Sequence, residues 1–317
     1  MNAGRTLIAR IAGSLAALIA GLAALSWAGI AQADPQRWQL NMTPGVTATS
    51  ANVYWLHNLV LGVCVVIGIL VFGAMAFAMV KFRKSKGAVA AQFSHNTTAE
   101  VIWTIIPVLI LIGLAIPATR ILFSMYDTRN AELTVKITGY QWLWQYEYLQ
   151  SSVPGQNVKF TSRLKTSSDR TRQLGSGMDP YAVKVGNENT YLLDVDHPLV
   201  LPIDTKVRFV ITADDVIHSW WVPQLGWKQD AIPGQIIEDW TEISQPGVYR
   251  GQCAQLCGRD HGFMPIVVKA VPKAEFQAWL AAQRSAEAAA VASVAAPAAA
   301  APAPATAAPV AAAPVAR

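Results

Sequence analysis

Apolar and polar positions alternate on very different length scales along this chain. From Leu59 to Val80 run 22 uncharged, largely apolar residues, and 19 more lie between Glu100 and Arg120. Each stretch is close to the roughly 20 residues that carry a helix across a bilayer, so two membrane-spanning helices are predicted, at about 59–80 and 101–120. Pro107 and Pro117 lie inside the second, where neighbouring helices can satisfy the backbone groups that proline frees. Lys81, Arg83, Lys84 and Lys86 occupy the connection, with no acidic residue before Glu100. The positive-inside rule places that connection in the cytoplasm and everything after Arg120 on the outer side. Upstream, Arg5 and Arg10 precede an apolar run from Ile11 to Ile30 and then Ala31-Gln32-Ala33, the pattern of an export signal. Cleavage would leave Asp34 as the first residue. An uncleaved third helix is the alternative, and it gives the same orientation.

Beyond Arg120 the period shortens. Leu133 to Ile137, Tyr191 to Val195, Val207 to Ile211 and Ile266 to Val271 are rich in Val, Ile and aromatic residues, separated by Pro, Gly, Asn and Asp clusters. These are strand signals at spacings that suit an antiparallel sandwich or barrel. Asn157 to Pro180 is polar and reads as a long loop, and after Leu280 the chain becomes Ala, Pro and Val repeats without a helix-period face. The expected fold is a membrane-anchored all-β protein. Its parts are a signal peptide (1–33), an N-terminal segment with the two-helix hairpin (34–123), an outward β domain (124–283) and a disordered tail (284–317).

Composition agrees with the membrane assignment: 53% of residues are hydrophobic, 14% are charged, and the mean hydropathy is +0.30. The formal charge is +5 overall, yet residues 124–283 hold 17 acidic and 15 basic side chains, a net of −2. The positive excess belongs to the leader, the cytoplasmic connection and the ends. A high pI is therefore no argument for nucleic-acid binding, whereas the outer domain can present an acidic face to a basic partner.

The candidate chemistry is concentrated in twelve residues, C-A-Q-L-C-G-R-D-H-G-F-M, which hold Cys253, Cys257, His261 and Met264, with His218 upstream. Thiolate, thioether and imidazole together suit copper. A mononuclear blue-copper site needs one Cys and two His; here there is one thiolate too many, and two thiolates can bridge two coppers with one His ending each metal. Two other readings compete. A Cys253–Cys257 disulfide would close a very short loop and leave His261 and Met264 unexplained. Zinc accepts two Cys and two His, but Met264 and the distant His218 count against it. Cys64, in the first membrane helix, reads as a buried structural thiol. His57, His95 and His197 read as surface or turn residues. No Cys-x-x-Cys-His occurs, so no covalent haem is expected on this chain.

Besides the copper loop, the chain carries A-E-V-I-W-T (Ala99–Thr104), G-Y-Q-W-L-W-Q-Y-E-Y (Gly139–Tyr148), D-D-V-I-H-S-W-W-V-P (Asp214–Pro223), D-A-I-P-G (Asp230–Gly234) and G-F-M-P-I (Gly262–Ile266). In this order, from about Leu59 to Leu280, the motifs resemble subunit II of the haem-copper cytochrome c oxidases. The resemblance implies a cupredoxin domain with a dinuclear copper (CuA) centre. His218, Cys253, Cys257, His261, Met264 and the backbone carbonyl of Gln255 would be its ligands. Trp142 matches the tryptophan that receives electrons from cytochrome c. Glu147, Asp196 and Asp215 match acids that dock the basic carrier, and Glu100 matches the glutamate at the mouth of a proton pathway through subunit I.

Read without the resemblance, each of these positions has a plainer reading. Trp142 and Trp144 would share one face of a strand. The three acids would be solvated charges, and Glu100 would favour a helix N-terminus. At Gln255 the family usually has Glu, whose carboxylate helps hold a magnesium ion against subunit I; an amide oxygen offers a hard cation less charge.

The implied role is the electron-receiving subunit of a proton-pumping oxidase in the bacterial inner membrane. The C-terminal domain would lie in the periplasm, subunits I and III would be its partners, and cytochrome c its donor. A quinol-oxidase-type subunit II lacks the copper ligands found here. A membrane-tethered copper carrier would need no docking tryptophan, and a nitrous-oxide-reducing enzyme would need a further histidine-rich domain.

Overall fold

The computed structural model describes residues 31–33, 39–149, 157–165 and 190–295. Most of the expected signal peptide, residues 166–180 of the expected loop, and the tail beyond Ala295 lie outside those residues. A short strand, β1 (Ala31–Ala33), comes first, followed by the long apolar helices α1 (Ala48–Lys81) and α2 (Thr97–Met125). Both helices are long and apolar enough to cross a membrane. Their lipid-type side chains, such as Leu70, Phe72, Ile105 and Leu111, are exposed, as expected where lipid replaces water as the solvent.

Helix α1 begins eleven residues before the predicted Leu59. Thr47 caps it by accepting from the Ser50 amide, and Ser50 answers with its own side chain, a capping box that offsets the polar Asn52, His57 and Asn58. The additional turns form the base on which the outer domain sits. The Thr47 hydroxyl donates to the Leu225 carbonyl (2.9 Å), and the amide of Val46 donates to the Gln224 carbonyl (3.0 Å). At the other helix, the indole N–H of Trp240 donates to the carbonyl of Ser124 (3.0 Å).

The β domain contains β2 (Leu133–Tyr140), β3 (Leu143–Tyr148), β4 (Val158–Ser162), β5 (Leu199–Pro202), β6 (Val207–Ala213), β7 (His218–Trp221), β8 (Lys228–Ala231), β9 (Ile237–Thr241), β10 (Gly247–Gln252) and β11 (Pro265–Val271). One sheet has the order β4-β3-β2-β6-β9 and a second β1-β10-β11-β5; β7 and β8 pair separately. β2 runs parallel to β6 and β11 parallel to β5, so the sandwich is mixed where an antiparallel one was expected. Alternation of buried and half-exposed positions, as along β6 and β3, directs Phe209, Ile211, Trp144, Tyr146 and Tyr148 into one core shared with Leu199, Leu201, Tyr249 and Ile266.

Three expectations need correction. Tyr191 to Val195 is a turn, closed by the Leu193 amide on the Thr190 carbonyl with Leu192 at φ 61, and only Val195 makes an isolated bridge. The polar stretch after Asn157 opens with β4, whose residues pair with β3. Finally, helix α3 (Lys273–Ala295) runs through the start of the supposed tail. Phe276 and Trp279 anchor its first turns against Tyr148 and Phe160, Leu280 is buried in the core, and high alanine helix propensity continues the helix beyond them.

Candidate metal centre

The centre lies at one end of the sandwich, where β7, the β2–β3 hairpin and the segment between β10 and β11 converge. β7 supplies His218, fully buried at its first position. Gly139 on β2 leaves room for that ring: a Cβ there would stand 2.8 Å from the imidazole Cδ2. After β10 the chain loops back. The Cys253 amide donates to the Met264 carbonyl (3.1 Å), closing the base of the loop, and the Ala254 amide donates to the Ser219 carbonyl (3.0 Å), tying it to β7. Gly251 permits this approach, since a Cβ at that position would collide with the Trp221 carbonyl oxygen at 1.9 Å.

Ligand atoms of His218, Cys253 and Cys257 lie within 4.8 Å of one another, all three buried. The His218 Nδ1 is 4.0 Å from the Cys253 sulfur, the two sulfurs are 3.9 Å apart, and Cys257 Sγ is 3.5 Å from His261 Nδ1. Cys253 Sγ faces the Gln255 carbonyl at 3.4 Å, while the Gln255 side chain is exposed. Met264 is buried at the end of the turn His261–Phe263. The cysteines are free thiols, which disposes of the disulfide reading in this structure. Cys64, expected to be buried, is exposed on α1 within the membrane-spanning stretch.

The two thiols are unequal. Burial works against the thiolate at Cys253, but hydrogen bonds from His218 and from the backbone outweigh it and lower its pKa. Burial pushes Cys257 up to about 12, reinforced by the charge of Cys253 beside it. The protein alone therefore favours one thiolate, and a bound cation would favour the second. Soft sulfur, imidazole and a carbonyl around that point fit copper.

Trp142 is not on a strand beside Trp144. It is the second residue of the two-residue turn joining β2 and β3, since Tyr140 pairs with Leu143. Half-buried, it donates its indole N–H to the Cys257 carbonyl at 3.2 Å, and Arg259 lies over its ring at 5.8 Å. Trp144 is fully buried, edge-on to His218 with ring centroids 5.9 Å apart.

The three expected docking acids separate. Asp215, at the surface, accepts from His218 Nε2 (2.9 Å) and from the amides of Gln141 and Val216. Although burial opposes it, these bonds hold its pKa below the usual carboxylate range. Glu147 lies five residues along β3 from Trp142, about 17 Å at strand rise, and accepts from Asn157. Asp196 accepts from the amides of Arg163 and His197. Glu100 stands exposed in the first turn of α2, which Asn96 caps.

Sequence reasoning missed Gln141. Its side chain donates to the Cys257 carbonyl at 2.9 Å beside Trp142, and its place between two aromatic residues in the G-Y-Q-W motif was the available signal.

Residues 133–271 match the family model of the cytochrome c oxidase subunit II periplasmic domain, and residues 35–121 that of its transmembrane domain. A probable cytochrome c oxidase subunit 2 of Rickettsia prowazekii (strain Madrid E) is 40% identical over 248 residues, 78% of this chain and 73% of that protein. Cytochrome c oxidase subunit 2 of Cereibacter sphaeroides is 33% identical over 249 residues, 78% of this chain and 80% of that protein. The crystal structure of the periplasmic domain of subunit II of cytochrome oxidase of Bradyrhizobium japonicum covers 50% of this chain and 98% of its own, with 33% identity and a TM-score of 0.40. The matches to both halves, and relatives of this identity along most of the chain, show that it belongs to the cytochrome c oxidase subunit II family: a copper-binding, cupredoxin-like subunit of a haem-copper oxidase complex.

Proposed function

We propose that this chain is the subunit through which electrons from cytochrome c reach the oxidase, at a dinuclear copper centre held by His218, Cys253, Cys257, His261, Met264 and the Gln255 carbonyl. The observation that carries the reading is the chain of donors from the buried His218 through the two buried sulfurs to the half-buried His261, with consecutive contacts of 4.0, 3.9 and 3.5 Å. Copper held by these residues would supply a one-electron acceptor and donor at this end of the domain.

The protein's own contribution is rigidity and exclusion of water. His218 is fixed by the β7–β8 pair, the loop is closed by backbone bonds at both ends, and Cys253, Cys257 and Met264 are almost fully buried. Fixed ligands need little rearrangement when charge enters or leaves. Trp142 extends from the Cys257 carbonyl to the surface and gives an arriving carrier an aromatic contact.

Docking of a basic cytochrome would draw on the acidic residues of the outer domain, with Glu147 and Asp196 contributing at long range. Subunit I would take the electron and reduce oxygen, subunit III would complete the complex, and Glu100 would stand at the cytoplasmic mouth of the proton route. In a bacterial inner membrane, helices α1 and α2 then place the copper domain in the periplasm. At Gln255 a magnesium ion at the junction with subunit I would meet an amide where the family usually offers a carboxylate, a weaker partner for a hard cation.

The deciding experiment is copper analysis with electron paramagnetic resonance on the purified oxidase. Two coppers in the outer domain and a hyperfine pattern spread over two nuclei are expected; a one-nucleus pattern would remove the dinuclear reading.

A further inference from the structure

Asp215 stands three residues before His218, and its carboxylate is used on both sides. Oδ1 accepts from His218 Nε2 at 2.9 Å and from the Val216 amide at 2.6 Å; Oδ2 accepts from the Gln141 amide at 2.7 Å. Gln141 and Trp142 in turn both donate to the Cys257 carbonyl, at 2.9 and 3.2 Å. A continuous chain of hydrogen bonds therefore runs from one candidate ligand to another through the turn that carries the tryptophan. Its junction is a single carboxylate on a one-carbon stem.

We propose that Asp215 is a positioning residue of the copper centre, fixing the His218 ring with Nδ1 toward the sulfurs and holding the Gln141–Trp142 turn against Cys257. The inference rests on the reading of His218 as a ligand. An imidazole bound through one nitrogen is oriented, and made more basic, by the acceptor on its other nitrogen. Here that acceptor also sets the backbone that carries Trp142, so ligand geometry and the surface contact for the donor are coupled. The docking role that the sequence resemblance implied calls on the charge alone, whereas this carboxylate is bonded through both oxygens, one of them to the His218 ring.

Asp215→Glu separates the two roles, because it keeps the charge and moves the acceptors by one methylene. In the purified complex it should leave the Michaelis constant for cytochrome c and its salt dependence as in the unmodified protein. The copper spectrum and reduction potential should change, and electron transfer within the bound complex should slow by about tenfold, the low end for loss of a ligand's supporting partner. Asp215→Asn, which cannot accept from both His218 and Gln141, should show the same spectroscopic change. If both variants keep the original spectrum and potential, and Asp215→Asn alone alters the Michaelis constant, Asp215 is a docking charge and the positioning role is overturned. His218→Ala is the companion arm. Should it keep the original copper spectrum, the ligand reading itself fails, and the positioning role with it; a changed spectrum there beside unchanged Asp215 variants overturns only the positioning role.

Discussion

The indole N–H of Trp142 donates to the carbonyl oxygen of Cys257 at 3.2 Å, so the half-exposed ring is one hydrogen bond from a residue whose sulfur belongs to the metal cluster. The carbonyl also receives the Gln141 amide group, which keeps the turn in place without the ring. Replacing the tryptophan therefore removes the aromatic contact while leaving the ligand loop supported.

Trp142→Leu should retain copper and its spectrum but slow electron transfer within the cytochrome c complex by about a hundredfold, the scale of loss from misplacing a reacting group. Flash reduction of the bound carrier measures this step apart from association. Charge removal at Glu147 or Asp196 should do the reverse, weakening association and its salt dependence while the internal step keeps its rate. A Trp142→Leu protein whose internal rate is unchanged would make the tryptophan a structural part of the turn.

At Gln255 the carbonyl faces Cys253 and the side chain faces outward, so the two can be tested separately. Gln255→Glu should leave the copper spectrum nearly unchanged and increase retention of a divalent ion at the junction with subunit I, because a carboxylate adds charge for a hard cation. Metal analysis of both purified complexes after chelator treatment checks it. Equal retention would show that the amide is no weaker a partner.

Gly139→Ala tests the space reserved for His218. The added Cβ would stand 2.8 Å from Cδ2 and 3.0 Å from Cγ of the ring, so the imidazole must shift. Overpacking of this kind costs about 1–3 kcal/mol. The expected result is lower copper retention and a changed spectrum in a domain that still melts cooperatively, read by metal analysis and calorimetry. Full retention with an unaltered spectrum would mean that the ring has slack the structure does not suggest.

Much of the centre was legible because Cys253, Cys257, His261 and Met264 fall within twelve residues, leaving only His218 to be found elsewhere. Asp215 was visible as an acid, but its use was not, since its partner Gln141 lies 74 positions away and only folding brings the two together. Helix boundaries failed for a related reason. Hydropathy marks where lipid begins, not where the backbone hydrogen bonds start, and the cap at Thr47 is paired with Leu225 across 178 positions. The turn at Tyr191 looked like a strand from its apolar composition alone, but its side chains are only half-buried and its backbone closes on Thr190 instead of pairing along a sheet.

Asp239 gives a prediction about pH. It lies on β9 opposite Phe209, is only 4% exposed, and its carboxylate accepts from the adjacent Trp240 amide. Burial raises its pKa from 3.8 to about 7, against the smaller opposing effect of that amide. The native state therefore holds a proton that the unfolded chain releases near pH 4. Stability from this residue is fully present below that value and is lost as pH rises through about 7. A displacement of this size corresponds to at most about 4 kcal/mol.

Because Trp240 and the end of α2 are bonded next door, the loosening should be felt where the β domain meets the membrane helices. Asp239→Asn keeps a polar group of the same shape and cannot ionise, so its stability should vary less between pH 5 and 8 than that of the unmodified protein, with the gap widening up to about pH 7 and holding above it. Thermal melting of both proteins across that range decides it. Parallel profiles would show that Asp239 finds a compensating partner when charged, and that the buried carboxylate is not what limits the domain at high pH.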